Sequence, residues 1–235
     1  MVGLYETALD NLCARPVGDK SVRPKIVAST TTVRRAEKQI QALFNRHIVE
    51  VFPPPGLDRR DSYFARTHSV QESNARLYVG IAAQGRSLKV VLLRAYLALL
   101  GAAQKAYKAA GGNRNKNNPA DPYMTLLGYF NSLRELGGSR RIIEDEVSTR
   151  LTGYANHKRE GEQEGLFDDR KIAYEVVELT SRVSTDKVAD AKRKLARPFH
   201  EDDRVDVAIA TNMISVGLDI VRLGLMVVLG QPKTS

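Results

Sequence analysis

Along the chain, apolar residues gather in short, nearly continuous runs at 24–28, 47–51, 77–83, 124–130, 174–179, 205–209 and 225–229. Most are rich in Val, Ile, Leu or aromatic residues, the pattern of strands covered on both faces rather than on one. Between them the spacing changes to that of helices, predicted over 33–44, over 87–110, from Asn131 or Ser132 through Leu136, and over 185–195. Strands that alternate with helices predict an α/β fold with a mostly parallel sheet flanked by helices. In the helix over 87–110, the face of Val90, Val91, Arg94, Leu97, Ala98 and Gly101 is nearly apolar and is expected to lie on the sheet.

Breaks in this pattern mark the loops. Phe52-Pro53-Pro54-Pro55-Gly56 halts regular structure, because each proline removes a donor and fixes φ, and it reads as a linker. The segment 58–74 mixes polar and aromatic residues with no period, and 111–119 is a basic loop of Gly, Asn and Lys. The charged, glycine-containing stretch 152–169 reads as a surface loop or partly disordered insertion.

Composition narrows the classes. With 235 residues, 43% hydrophobic and 27% charged, the chain is long enough to bury a core. The longest apolar candidate, 88–100, is too short to span a membrane and is broken by Lys89, Arg94 and Tyr96. Residues 1–12 carry Glu6 and Asp10 and lack a signal-peptide core, so a cytoplasmic protein is the expectation. One cysteine, Cys13, excludes an internal disulfide and a cysteine-based metal cluster. A net charge of +9 and a pI near 9.7 fit a polyanion partner or simply a basic surface.

The polar residues that follow three strands carry the candidate chemistry. After 205–209 the chain reads Ala210-Thr211-Asn212 and then Gly217-Leu218-Asp219, which places polar groups at the edge of a sheet where α/β proteins bind ligands. Ser29-Thr30-Thr31-Thr32 follows the run at 24–28, and Asn131-Ser132-Leu133-Arg134 follows the run at 124–130. Both hydroxyl groups sit where a helix wants an N-cap, which alone accounts for them.

Taken in order, these three sites resemble the third, fourth and fifth motifs of superfamily 2 helicases, which implies a RecA-like fold. By that resemblance Thr30 and Thr32 would couple ATP hydrolysis to nucleic-acid binding, although Thr31 stands where the pattern has Ala. Asn131, Ser132 and Arg134 would meet a backbone phosphate, as would Thr211 with its turn at Asn212, while Gly217 and Asp219 would face ATP. The strand before the fifth motif ends in a similar turn at Leu179-Thr180-Ser181, and the basic helix beyond it holds Lys187, Lys192, Arg193 and Lys194, most of them read as a solvated face. More narrowly, Ile26-Val27-Ala28-Ser29-Thr30, the proline run at 52–56, Tyr129-Phe130-Asn131-Ser132 and the stretch 210–219 look like the large helicase of DISARM-type anti-phage defence systems.

Other elements of a motor are not found. Gly18-Asp19-Lys20-Ser21 imitates the end of a phosphate loop, yet Asp19 separates Gly from Lys and the earlier glycine is missing. Asp145-Glu146 lacks the apolar strand that should precede a Mg²⁺-holding pair and reads as a solvated helix face; His200-Glu201-Asp202-Asp203 reads as a hydrophilic turn rather than a metal site. No motif with an arginine finger follows 225–229. The resemblance therefore implies a fragment: residues 1–60 as the tail of a first RecA-like lobe and linker, and 61–235 as a truncated second lobe.

The implied function is the C-terminal part of an ATP-dependent DNA helicase or translocase, with ATP and Mg²⁺ bound only with the missing first lobe and with no catalysis by this chain alone. Its implied partners are nucleic acid and that first lobe, with no membrane, and exposed sheet edges would favour self-association. The alternative is a non-catalytic α/β protein-interaction module that keeps the fold. A small-molecule α/β enzyme ranks last, for lack of a phosphate loop, a nucleophile pair or a metal set.

Overall fold

An apolar run becomes a strand only where neighbouring strands complete its hydrogen bonds. The computed structural model of the protein describes residues 2–29, 36–54, 56–58, 60–158, 160–173, 175–211 and 220–230. The chain divides into two units, Met1–Val79 and Gly80–Ser235.

The first unit contains helix α1 (Val2–Leu12), a hairpin of β1 (Arg15–Val17) and β2 (Lys20–Val22), and helix α2 (Ala36–Phe44). The tempting Gly18-Asp19 pair is the two-residue turn of that hairpin, with Gly18 at φ +61°. Asp10 of α1 takes the Arg46 guanidinium and, at 3.3 Å, that of Arg23. The expected strands at 24–28 and 47–51 are irregular, and so is 77–83, where Leu77, Tyr78 and Val79 stay exposed. The physical reason lies in packing, since no described residue of the first unit is buried and these runs have neither a core to enter nor a ladder to join.

In the second unit, helix α3 (Leu88–Ala109) starts at Ser87, whose Oγ accepts the Val90 N–H at 3.4 Å. Then come β3 (Leu126–Phe130), α4 (Leu133–Arg141), a π-helical turn (Ile142–Val147), α5 (Ser148–Leu151), β4 (Val177–Leu179), α6 (Thr185–Ala196), β5 (Val207–Ala210) and β6 (Leu225–Leu229). The four later strands form one parallel sheet in the order β4-β5-β3-β6. This is the α/β architecture read from the sequence, and it is consistent with a RecA-like fold.

Alternation along the central strands assigns the two faces. Leu126 and Phe130 of β3, with Val207 and Ile209 of β5, enter a core with Leu92, Leu93, Tyr96 and Leu100 of α3 and Ile143, Val147 and Leu151 of the helices after β3. Leu127, Ala208 and Ala210 face the other way, onto Ala191 and Leu195 of α6. On α3 the sheet-facing residues are therefore not the expected set: Val90 and Val91 are half-buried and Arg94 is exposed. A helix with apolar residues on two sides buries the one that meets the sheet, and here the second side is covered by the segment after α5.

Most described residues of 152–169 are exposed, as expected of a surface loop, but Tyr154 and Gly165 are buried. The segment is also anchored by Arg170, whose side chain is 1% exposed and donates to Asp206 Oδ1 at 2.7 Å. Asp206 Oδ2 accepts the Ala173 N–H at 2.8 Å, and the Arg170 guanidinium lies 5.0 Å from the Phe199 ring centroid. A second guanidinium, Arg222, donates to Asp121 Oδ2 at 2.6 Å and to Thr125 Oγ at 2.8 Å, while Asp121 Oδ1 caps the Phe199 N–H at 2.6 Å. These charge-assisted bonds, the first set buried and the second half-buried, lock the residues that enter β3 and β5. Among the described residues no helix is long and apolar enough to cross a membrane.

Candidate nucleic-acid interface at the strand ends

A parallel sheet sends every strand's carboxyl end to one edge, which is where open α/β sheets bind ligands. Tyr129 pairs with Ala210, Leu179 with Ala210, and Phe130 with Leu229, so Asn131, Thr180, Thr211 and Gly230 leave the sheet together. Neighbouring strands lie about 4.8 Å apart, which brings the Asn131 and Thr211 backbones side by side.

Asn131 has a structural task at this edge. Its Nδ2 donates to Leu229 O at 3.2 Å and ties the end of β3 to that of β6. Gly230, at φ +74°, permits the approach, since an added Cβ would lie 3.3 Å from that nitrogen. Ser132 caps α4, its Oγ accepting the Glu135 N–H at 3.3 Å. The order Ser132-Leu133-Arg134-Glu135 is that of a capping box, so the capping explanation of this hydroxyl holds.

Arg134 is different. It is exposed in the first turn of α4 and has no ion-pair partner among the described residues. The positive end of a helix disfavours a cation by some tenths of a kcal/mol, roughly 0.3–1. Helix stability therefore gives no reason for an arginine here, whereas an anion shared between the guanidinium and the helix terminus does.

Beside it, the Thr211 N–H reaches Leu179 O at 3.4 Å, and the residue is half-buried. Helix α6 also begins at this edge, and its N-cap Ser184 makes no side-chain capping bond. In the turn before it, buried Thr180 donates to Glu178 Oε1 at 2.6 Å. Glu178 also faces Arg140 at 3.4 Å and Arg182 at 3.8 Å. The bond to Glu144 holds Arg140 above its ordinary value, with burial opposing it, so that side chain stays charged.

Of the residues read from the sequence, Asn131, Ser132, Arg134 and Thr211 thus share one edge. Thr30, Thr32, Asn212, Gly217 and Asp219 lie outside the described residues. Sequence reasoning passed over Arg182 and the carboxylate of Glu178 beneath it. The available signal was a lone Glu next to the strand end, followed at i+4 by Arg.

The chemistry available is that of phosphate recognition: helix N–H groups, hydroxyls and two exposed guanidiniums, that of Arg134 and that of Arg182, the latter facing Glu178. Among the described residues no group of three or more His, Cys, Asp or Glu side chains could hold a metal.

No protein-family profile matches the chain. It is 40% identical over 231 residues to the DISARM protein DrmA of Bacillus paralicheniformis. The match covers 98% of this chain and 20% of that protein, so the chain spans about a fifth of the length of the curated relative it matches.

Proposed function

We propose that this chain is a backbone-gripping portion of a superfamily 2 helicase-like motor in a DISARM-type defence system, corresponding to part of the second RecA-like lobe. The observation that carries the proposal is the placement of Arg134, unpaired and in the first turn of α4, on the sheet edge where Thr211 also emerges. Similarity to a DISARM protein supports the same reading. In it, Asn131 and Ser132 hold the strand end and helix start in place, and Arg134, Thr211 and the turn at Asn212 take successive phosphates of one strand. Gly217 and Asp219 face ATP and Mg²⁺ supplied to a complete motor, and Thr30 and Thr32 couple that site to the strand.

Fluorescence anisotropy with a labelled single-stranded DNA tests this. Affinity should fall steeply as salt rises, because each neutralised phosphate releases counterions, and it should be tolerant of sequence, because phosphates carry no base information. Absence of binding at low salt, or binding indifferent to both salt and Arg134→Ala, sinks the proposal.

One observation favours a protein partner at another place. β6 is an edge strand among the described residues, and Met226 and Val228 on it are 49% and 41% exposed. This apolar edge suits the first lobe or a second copy of the chain, and sedimentation of the wild type against Val228→Lys would tell self-association from a monomer.

A further inference from the structure

A second concave surface lies on α3, formed by elements that carry none of the strand-end residues. The described residues of 150–158 and 160–167 fold back over the helix and are pinned from several sides. The Lys105 ammonium donates to Gly165 O, the Asp168 N–H to Gly101 O at 3.1 Å, and the Ala155 N–H to Asp169 Oδ1 at 2.7 Å. Gly101 makes the close approach possible, since a Cβ there would lie 2.9 Å from Tyr154 Cδ1 and 3.2 Å from Phe167 Cβ. The resulting cavity has a volume of about 500 Å³, within the range of small-ligand sites, roughly 300–1,000 Å³.

Its walls have two characters. One is aromatic: Tyr154 lies 4.8 Å from Phe167 and 4.7 Å from His157, centroid to centroid, above a floor that includes Leu97 and Ala98. The other is cationic, with Arg94, Arg150 and Lys158 beside Glu162; Arg150 also pairs with Glu146 at 3.3 Å and Lys158 donates to Gln163 O at 2.9 Å, which leaves Arg94 as the principal anion-binding group. Arg94 is exposed and has no ion-pair partner among the described residues. Arg94 and Tyr154 line the same cavity, where burial raises the Tyr154 phenol and the Arg94 charge pulls it partly back.

We propose that this cavity binds a nucleotide unit, its base against the Tyr154, His157 and Phe167 wall and its phosphate on Arg94, Arg150 and Lys158. Aromatic side chains stack bases of any sequence, and guanidinium groups take phosphate oxygens through charge-assisted bonds. The nucleotide has two possible sources, a free mononucleotide or one residue of a single strand. This inference stands apart from the strand-end reading, since the two sites share no residue.

Calorimetric titration of the whole chain with 2′-deoxyadenosine 5′-monophosphate, with deoxyadenosine, and with a short oligodeoxyadenylate tests the proposal. The monophosphate should bind and the nucleoside far more weakly. Arg94→Ala should weaken the monophosphate by about tenfold, Ala98→Phe should abolish binding by filling the cavity, and Lys116→Ala, which removes the same charge from an exposed site elsewhere, should change nothing. If only the oligonucleotide binds, with the same dependence on Arg94 and Ala98, the source is a strand and the site stands. Failure of both ligands to bind, or affinities unmoved by Arg94→Ala in a protein with an unaltered melting curve, overturns it. An oligonucleotide affinity that depends on Arg134 but not on Arg94 also overturns it, while leaving the strand-end reading intact.

Discussion

Gly128 sits at the centre of β3, and replacing it with Ala should destabilise the second unit through one identifiable collision. A Cβ at this position would lie 2.1 Å from the Tyr96 hydroxyl and 3.1 Å from Phe130 Cε2, where ordinary contact is 3.4–4 Å. Tyr96 is fully buried on α3, so its ring has no free direction in which to retreat. Overpacking of this kind costs about 1–3 kcal/mol, and the greater backbone order of Ala over Gly returns about 0.5–1 kcal/mol. The net loss is then about 0–2.5 kcal/mol, centred near 1 kcal/mol, and each kcal/mol lowers the Tm of a domain this size by about 2–4 °C. The Tyr96 hydroxyl has no hydrogen-bond partner among the described residues, and burial pushes the phenol well above its ordinary value. Tyr96→Phe should therefore be neutral or stabilising, because it removes an unsatisfied buried group. In the Gly128→Ala/Tyr96→Phe double variant most of the lost stability should return. Urea unfolding followed by circular dichroism measures the four corners of the cycle. Additivity of the two changes within about 0.5 kcal/mol would refute the collision as the cause.

Asp206→Ala should be the most damaging single change, about 3–5 kcal/mol by urea denaturation, because it leaves the Arg170 charge buried with no counter-ion. An Arg170→Met/Asp206→Leu pair should recover much of that loss. Ser132→Ala removes the cap of α4 and should lower stability by about 1 kcal/mol in the same assay, with a loss below 0.3 kcal/mol counting against the cap. In anisotropy titrations across salt, Arg134→Ala should reduce the slope of log K against log salt by about 1 if the guanidinium neutralises one phosphate.

The second unit was legible where local and long-range demands agree. Val207-Ala208-Ile209-Ala210 is apolar on both faces because α3 covers one and α6 the other, and a continuous run says as much. Ser87 and Ser132 announce their helices because an N-cap needs only its own next turn. Runs such as 24–28 and 77–83 were misread because a strand depends on partners that no short window contains. The Arg170–Asp206 pair went unseen for a similar reason. Asp206 interrupts an apolar run and so demands a cation, but nothing local points to one 36 positions away. At the strand ends, the motif order implies one edge for Asn131 and Thr211, and β3 and β5 do end side by side there, whereas the bond from Asn131 to Leu229 spans 98 positions and could come only from the fold.

The order β4-β5-β3-β6 has a consequence for how the protein is made. Among the described strands of the sheet β3 is the first to be synthesised, yet its two neighbours, β5 and β6, come last. On a ribosome adding 5–20 residues per second, β3 waits on the order of 4–16 s for the roughly 80 residues that separate it from β5. Throughout that interval Leu126 and Phe130 have α3 and the helices after β3 to lean on, Leu127 waits for α6 as well, and none of them has a strand to pair with. The central strand of the finished sheet is thus the exposed edge of the nascent one. Chaperone dependence and slow, late cooperative folding should accompany its biosynthesis.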